Sequence, residues 1–471
     1  MTRRLASLHG VPSVRVSPFL RYYQDAKTSR RPFHFASLPS LGDVATPAEP
    51  PVYATGQPAW SSASLETPVD LETALQWTLS RNPDLVAVRQ NADVSAVAMA
   101  VARLFPMSVN PSVTVALRPW AFERDFGRGS QRLGSSVAVA WTQPLELGRR
   151  GPRLGQAQAA YDQTQWSILQ AELVTLVQTY RFHQTATYRR EKFRVARQLA
   201  EFNAQLLLTV RRQAAAGLAT PTDLVLAEVE NQSMVQRLRT AQQDYLDAVT
   251  DLRKQMGLPE HAGSAVPVGA LQIPAGALSS DEDDLIRMAL ESHPDINVAL
   301  AQANNSQAAV SLARADRIPI ASVGPVYERD EVGTTFYGLV VNTPVLVLNS
   351  GRHLVWQREQ EYNRDLVAAE QVRVRTIVRV KASLAKWLQI KDLVAEVEAS
   401  TAAIEVQTQK LERIYTAGQA DLLKLLQVRQ RLIEAENARL DIVWQATQAY
   451  ADLLTATGAT PLLGSLPATA E

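Results

Sequence analysis

The chain has no cysteine among its 471 residues. Disulfide bonds, cysteine-based zinc sites, iron–sulfur clusters, thiol catalysis and lipid attachment to cysteine are therefore excluded. Aromatic residues make up only 6% of the chain, and the formal net charge is +1. Because a nearly neutral chain gains little from bulk electrostatic attraction to polyanions, we expect no nucleic-acid partner.

Long apolar runs are also missing. No stretch approaches the roughly 18 consecutive apolar residues that indicate a membrane-spanning helix. If the protein enters a membrane, we therefore expect it to do so with β-strands, because only helices and closed barrels satisfy the backbone hydrogen bonds in lipid.

Signals for catalysis are absent as well. The six histidines are scattered, without the i, i+4 spacing of a helical metal site. The sequence has no Gly-rich phosphate loop and no grouping of nucleophile, base and acid. We therefore predict that the protein is not an enzyme and has no metal or other cofactor.

The sequence contains an internal repeat. The box Asn82–Leu85 (Asn-Pro-Asp-Leu) recurs as His293–Ile296 (His-Pro-Asp-Ile), each time after a short amphipathic helix and before an Ala-rich helical stretch. Each half then has two strand-like runs in which apolar residues alternate with small or polar ones. About 60 residues of helix follow, then a glycine turn and a second helix that runs back along the first, which we call the return helix. The alternating runs are Val113–Leu117, Val137–Trp141, Ile320–Val323 and Phe336–Val341. We take residues 68–275 as the first repeat and residues 280–460 as the second.

The long helices determine the predicted fold class. Leu238, Ala241 and Tyr245 follow each other in steps of three and four residues, which is typical of helices packed side by side. A helix of 60 residues is about 90 Å long, a length that suits a wall or a tunnel. We predict a mainly α fold with a small β portion, built from a duplicated helix–helix–strand–strand–long helix–long helix unit.

The strands limit how one chain could meet a membrane. Alternation over about ten residues fits a tilted membrane strand, with valines such as Val113, Val115, Val137 and Val139 toward the lipid. Four strands cannot close a barrel, because the smallest membrane barrels have about eight. Several copies must therefore share one barrel. Two copies give eight strands and three give twelve, and this choice stays open on the residues alone.

The two ends of the chain have a different composition. Residues 1–67 are rich in Pro, Ser and Arg and have no apolar run resembling a signal-peptide core. We expect a disordered leader there and a short C-terminal tail at residues 461–471.

Taken in order, these features resemble the TolC-type outer-membrane efflux proteins over about residues 68–460. The doubled architecture, the Asn82 box and two glycine turns, around Gly217 and Gly418, are the basis of the resemblance. The stretch Thr142–Arg153 is most similar to the heavy-metal (cobalt-zinc-cadmium) efflux branch.

The resemblance implies a homotrimer with a twelve-stranded β-barrel in the cell outer membrane and a helical tunnel in the periplasm. It also implies two partners, a periplasmic adaptor and an inner-membrane pump of the RND or ABC type. The channel would be a passive export duct that opens when the adaptor docks.

The same resemblance suggests gate residues at the hairpin tips. Asp223 and Tyr415 match residues that link neighbouring helical hairpins in a closed tip. Lys424 stands where the best-known member of the family has an acidic residue, and Asp421 is the candidate to replace it. Gly217 and Gly418 are the turn glycines. A plainer interpretation stays open, in which Asp223 and Asp421 only start helices.

A second function class also stays open. The chain could be a soluble coiled-coil scaffold whose short strands pair locally and never enter a membrane. Arg149, Arg150 and Arg153 have two interpretations as well: they mark a junction between barrel and tunnel, or only a helix start.

Overall fold

The computed structural model describes most of the chain beyond residue 66. The described residues are 67–104, 110–119, 121–125, 129–133, 135–146, 148–217, 220–258, 265–272, 278–330, 333–344, 350–416 and 422–461. The expected leader, apart from its last residue, lies outside this description, as does the tail after residue 461.

Helices dominate the described residues, as predicted. In chain order they are α1 (Leu71–Arg81), α2 (Pro83–Arg103), α3 (Arg150–Ala215), α4 (Pro221–Gln255), α5 (Glu282–Ser292), α6 (Pro294–Ala315), α7 (Arg352–Thr416) and α8 (Leu422–Thr457). The long helix α3 has 66 residues and α7 has 65, so each extends for about 100 Å.

The strands form one principal sheet and two small ones. In chain order they are β1 (Thr67–Val69), β2 (Ser112–Arg118), β3 (Ala121–Asp125), β4 (Gly129–Leu133), β5 (Ser136–Leu145), β6 (Ala265–Pro267), β7 (Ala321–Arg329) and β8 (Thr335–Asn342). The principal sheet is antiparallel with the order β2-β5-β7-β8. The parallel pair β1-β6 and the hairpin β3-β4 were not predicted from the sequence.

Strands and helices are arranged in the same lateral order. Within the described residues α2 packs on α3, α3 on α6, and α6 on α7. Each of these helices is joined along the chain to the strand at the same place in the sheet order, α2 to β2, α3 to β5, α6 to β7 and α7 to β8. Sheet and helices thus form one continuous layer, with β2 and α2 at one side and β8 and α7 at the other.

Beyond this layer the long helices pair with the return helices. Helix α4 packs on α3, α3 on α8, and α8 on α7. The main core lies where α3, α7 and α8 meet the short helix α5, and the rings of Tyr180, Trp387 and Tyr450 pack together there. Burial raises the pKa of the Tyr450 hydroxyl to about 12, so this group stays neutral in the core.

Helix α2 differs from the other described helices in its composition. It alone among them is long and apolar enough to cross a membrane by these two criteria, although run length predicted no such helix. Only 11% of its most apolar window is buried. Its other face packs on α3 and includes Arg89, which forms an ion pair with Glu172 at 2.7 Å. Helix α2 therefore belongs to the helical layer and has one uncovered apolar face.

A glycine follows each return helix at a close backbone contact. Gly257 has φ +65°, and a Cβ atom there would lie 2.3 Å from the carbonyl oxygen of Arg81. Gly458 has φ +71°, and its Cβ would lie 3.0 Å from the Cα of His293. In both repeats the end of the return helix therefore lies against the residues between the two short helices.

We predict that Gly257→Ala destabilises the protein more than Gly217→Ala. Both glycines have a positive φ, which costs about 1–2 kcal/mol for an L-residue. Only Gly257 also faces a backbone carbonyl, and overpacking adds about 1–3 kcal/mol. Unfolding midpoints followed by circular dichroism measure the difference. Equal midpoints for the two variants would contradict the packing argument.

Candidate functional site

One face of the principal sheet is apolar. Alternation along the strands and the strand registers, such as Val115 opposite Val139 and Tyr327 opposite Tyr337, define which residues share it. Its apolar members are Val113, Val115, Leu117, Val137, Val139, Trp141, Val323, Pro325, Tyr327, Tyr337, Leu339 and Val341. The same registers place Gln143, Arg329 and Thr335 on this face, toward the ends of the strands. Many of these side chains are exposed, Tyr337 by 82% and Leu339 by 69%. We call this surface the apolar sheet face.

The opposite face carries mainly small and polar residues. It includes Ser112, Thr114, Ala116, Ser136, Ala138, Ala140, Thr142, Ser322, Gly324, Val326 and Gly338. The larger apolar members Phe336 and Val340 lie on the edge strand β8. A Cβ at Gly324 would lie 1.7 Å from the carbonyl oxygen of Trp141, so β5 and β7 can approach only because a glycine is there. A sheet in a water-soluble protein buries its apolar face against a core and exposes its polar face. Here the apolar face is exposed.

Among the described strands, the principal sheet has two free edges. Strands β2 and β8 are the outermost strands in the order given above, and every residue of β2 is exposed. Each edge strand presents unpaired N–H and C=O groups along one side, which favours pairing with another strand. The four valines predicted to face lipid, at positions 113, 115, 137 and 139, all lie on the apolar sheet face.

Arginines hold the junction between the sheet and the helices. Arg153 is buried, forms an ion pair with Glu146 at 2.6 Å, and donates hydrogen bonds to the carbonyl oxygens of Ala102 and Leu104. It therefore connects the end of β5, the start of α3 and the end of α2. This contact favours the junction interpretation of the arginine stretch over a plain helix start.

Two further arginines, Arg149 and Arg317, make similar contacts elsewhere at the junction. Arg149 donates to the carbonyl oxygens of Asp316 and Ile318, just after α6. Arg317 donates to the carbonyl oxygen of Ser350, just before α7. Guanidinium groups thus bind backbone carbonyls at or just beyond the C-terminal ends of α2 and α6, where intrahelical partners are lacking.

We predict that Arg153→Ala lowers the free energy of unfolding by about 3–5 kcal/mol, because it breaks a buried ion pair and removes two hydrogen bonds to backbone carbonyls at the end of α2. Arg352→Ala is the matched control, since Arg352 is exposed at the first position of α7. We expect the control to change stability by less than about 0.5 kcal/mol. Thermal unfolding of both variants tests this, and an Arg153→Ala midpoint equal to that of the control would refute it.

The first hairpin tip lies between α3 and α4. Gly217 follows the end of α3 with φ +71°, and a Cβ there would meet open space. Thr220 and Asp223 form a capping box: the Thr220 hydroxyl accepts from the Asp223 N–H at 3.2 Å, and the Asp223 carboxylate accepts from the Thr220 N–H at 3.0 Å. Hydrogen bonds from Thr220 hold the pKa of Asp223 below its usual value.

The other predicted gate residues are not tested by this geometry. Gly418 and Asp421 lie outside the described residues, as do the side chains of Tyr415 and Lys424. At the first tip the capping box supports the helix-start interpretation of Asp223. It uses one carboxylate oxygen, Oδ2, for both hydrogen bonds from Thr220.

A polar cluster that sequence reasoning missed joins α3, α6 and α7. Buried Asp365 accepts hydrogen bonds from Gln302, Ser306 and Arg364, and Gln302 also bonds to Gln163. Burial raises the pKa of Asp365, but the bonds from Ser306, Gln302 and Arg364 outweigh this effect and hold the pKa below its usual value. These polar residues occupy otherwise helical patterns, so only the packing of three helices reveals them as a cluster.

No group of histidines and carboxylates suited to a metal ion occurs among the residues that the structure describes. A cleft of about 390 Å³ lies beside the Asp365 cluster, and Asp295, Arg375 and Arg379 are among the residues that line it. The cleft is open and holds charges of both signs. Neither the Asp365 cluster nor the cleft brings a nucleophile next to a base.

The fold is that of the outer-membrane efflux channels, and the prediction of this fold class is confirmed. The family model for outer membrane efflux protein matches residues 285–459, which is most of the second repeat. None of the curated proteins matches the chain in sequence.

Solved structures with this fold cover most of the chain. CusC aligns with a TM-score of 0.61 and 17% identity over 83% of this chain and 92% of its own. The CmeC outer membrane channel of Campylobacter jejuni aligns with a TM-score of 0.65 and 15% identity, and the alignment covers 85% of this chain and 87% of CmeC. The open MtrE outer membrane channel of Neisseria gonorrhoeae aligns with a TM-score of 0.59 and 17% identity, and the alignment covers 83% of this chain and 89% of MtrE. These comparisons concern efflux proteins and channels, in agreement with the prediction that the chain is not an enzyme.

Proposed function

We propose that the chain is one subunit of a homotrimeric outer-membrane efflux channel. The observation that carries this proposal is the polarity of the principal sheet. A sheet with bulky apolar residues on one face and small or polar residues on the other matches the wall of a membrane barrel that surrounds water. The apolar sheet face would contact lipid, and the opposite face would line the pore.

The two sides of the layer support closure by copies of the same chain. Because β2 and α2 lie on one side and β8 and α7 on the other, a copy can join its first side to the second side of a neighbour. Such head-to-tail contacts form a ring when the rotation closes. Closure pairs the free backbone groups of β2 and β8, which lipid cannot satisfy.

The outer helices support the same contact. Val94, Val97 and Val101 are exposed along one face of α2, with 68% of Val94 accessible. Val367, Val374 and Val378 form a similar exposed row on α7. In a ring these two rows would cover each other, which accounts for the apolar character of α2 without a membrane-spanning role. Three copies, giving twelve strands, follow from the family resemblance.

The tunnel and the partners complete the proposal. The long and return helices would continue the barrel as a periplasmic tunnel. Exposed Val225, Leu226 and Val229 near the first hairpin tip offer an apolar surface on which a periplasmic adaptor could dock. An inner-membrane pump of the RND or ABC type would deliver the cargo. The proposed channel has no chemical step, and its action is passive conduction opened by the adaptor.

The soluble scaffold is the weaker alternative. Locally paired strands of a soluble protein would bury their apolar face against a core or hide it in a partner. The apolar sheet face has no such cover within the described residues, and both edges of the sheet are free.

The heavy-metal assignment has a narrower basis. It rests on the stretch Thr142–Arg153, and Glu146, Arg149 and Arg153 in that stretch act at the junction. Their side chains bind backbone and each other, so this motif is explained by structure rather than by cargo. A metal ion therefore stays one candidate cargo among others.

The test of the proposed function compares Val115→Arg with Thr114→Arg. Both residues are exposed at the middle of β2, on opposite faces of the sheet. An arginine facing the bilayer midplane costs about 2–4 kcal/mol, whereas one facing the pore stays hydrated. We expect the native protein and Thr114→Arg in the outer-membrane fraction as trimers, and Val115→Arg depleted from that fraction.

The readouts are membrane fractionation and the mass of the detergent-extracted protein. A monomer or dimer in the soluble fraction would replace the channel with the scaffold. Equal assembly of both variants would mean that the apolar sheet face does not contact lipid.

We further propose that Asp223 and Tyr415 form a latch between neighbouring hairpins at a closed tip. We expect Asp223→Ala and Tyr415→Phe each to raise single-channel conductance in planar bilayers, because each removes one partner of a carboxylate–phenol hydrogen bond. Such a bond contributes about 1–3 kcal/mol when it is shielded from water.

Thr220→Ala separates the latch from the helix start. This variant breaks the capping box and keeps the Asp223 carboxylate. If conductance rises for the Asp223 and Tyr415 variants and stays native for Thr220→Ala, the latch is supported. A rise for Thr220→Ala equal to that for Asp223→Ala would support the helix-start role, and unchanged conductance in the first two variants would reject the latch.

A further inference from the structure

Each repeat has one side chain that joins the start of a short helix to the end of its return helix. In the first repeat this residue is Asn82. Its Oδ1 accepts from the Leu85 N–H at 3.0 Å, capping α2, and its Nδ2 donates to the carbonyl oxygen of Gln255, the last residue of α4, at 2.8 Å. We call this arrangement the first helix-end tie. It satisfies an orphan donor of one helix and an orphan acceptor of another.

The second helix-end tie has a histidine in the same place. The N–H of Asp295 donates to Nδ1 of His293 at 3.1 Å, capping α6, and Nε2 of His293 lies 3.0 Å from the carbonyl oxygen of Thr455 in the last turn of α8. The imidazole therefore reproduces the acceptor and the donor of the Asn82 amide. His293 is 1% exposed.

These partners define one protonation state. A carbonyl oxygen only accepts, so Nε2 must carry a hydrogen, and an N–H only donates, so Nδ1 must carry a lone pair. The geometry thus requires the neutral ring with its hydrogen on Nε2. A second proton on Nδ1 would point at the Asp295 N–H and remove the cap. It would also put a positive charge at a helix N-terminus, which the helix dipole disfavours.

The charged groups around the ring do not compensate for this loss. The Asp295 carboxylate lies 3.9 Å from Nδ1, but it already accepts from Gln170 of α3 at 2.9 Å and pairs with Arg379 of α7 at 3.7 Å. Gly458, after α8, packs against His293 and leaves little room for the ring to shift.

We propose that His293 makes the second helix-end tie a proton-sensitive joint, so that acidification loosens α6 from the end of α8 while the Asn82 tie of the first repeat holds. The side-chain amide of Asn82 does not gain a proton on mild acidification, because it is not a titratable group. The two repeats, otherwise alike in architecture, thus differ in how firmly their return helices are anchored at low pH.

The direction of the effect follows from burial. Burial lowers the pKa of His293 from its usual 6.5, and the nearby Asp295 only partly opposes this. A group with a lowered folded-state pKa stabilises the fold above its unfolded pKa and loses that contribution as the pH falls. Buried His183 has a lowered pKa for the same main reason, so global acid sensitivity alone would not identify His293.

The test is hydrogen exchange of the full-length, detergent-extracted protein, read by mass spectrometry from about pH 7.5 to about pH 4.5 and corrected for intrinsic rates. Peptides around residues 293–297 and at the end of α8 report the second tie, and peptides around residues 82–86 report the first in the same sample. We expect corrected exchange of the second set to rise about fivefold or more on acidification, the loss of roughly one helix cap, and that of the first set to stay constant.

Two exchanges between the repeats serve as controls. His293→Asn keeps both hydrogen bonds in a form that does not titrate, so its second tie should become insensitive to pH. Asn82→His should introduce the same sensitivity into the first repeat, and it keeps the proposal testable if the other variant does not fold. Equal corrected exchange of the native second tie throughout the pH range would overturn the proposal. So would a pH response that persists in His293→Asn.

Discussion

The free edges of the principal sheet are the constraint on which the rest of this structure depends. A strand edge leaves backbone N–H and C=O groups without partners, and in lipid each such group costs several kcal/mol. Four strands cannot remove both edges by closing on themselves. In the proposed channel, strands from copies of this chain would pair with both edges, and the ring so formed would leave the apolar sheet face in contact with lipid. The matching order of strands and helices means that one head-to-tail contact would serve the sheet and the helical layer at once.

A layer this long stays in register only if its parts are fixed to one another along its length. Arg149, Arg153 and Arg317 do this at the junction, where helices meet strands and carbonyl groups would otherwise lack partners. Asn82 and His293 do it farther down, where return helices end. At both levels a side chain satisfies backbone groups at helix ends. The duplicated architecture therefore depends on a few polar contacts at helix termini as well as on apolar packing.

Much of the fold could be predicted because it depends on local periodicity. The two Pro-Asp boxes, the glycine turns and the heptad steps indicated the helices, and alternation indicated all four strands of the principal sheet. Strand β7 extends beyond the predicted run, to Arg329, because Gly324 and Pro325 interrupt its apolar alternation while pairing with β5 and β8 continues. The short pair β1-β6 and the hairpin β3-β4 lack such patterns, since strands of three or five residues show too few alternations to recognise.

The sequence by itself determined the repeat, the helices and the alternation of apolar and polar residues in the strands, because each of these depends on neighbours within a few residues. Only the tertiary structure decided that Arg153 reaches Ala102 and Glu146, that Asp365 joins three helices, and that His293 takes the place of Asn82 against the end of a return helix. These contacts connect residues that are often 50 to more than 150 positions apart along the chain. No local pattern encodes them, because hydrogen bonds across that separation depend on how the helices pack.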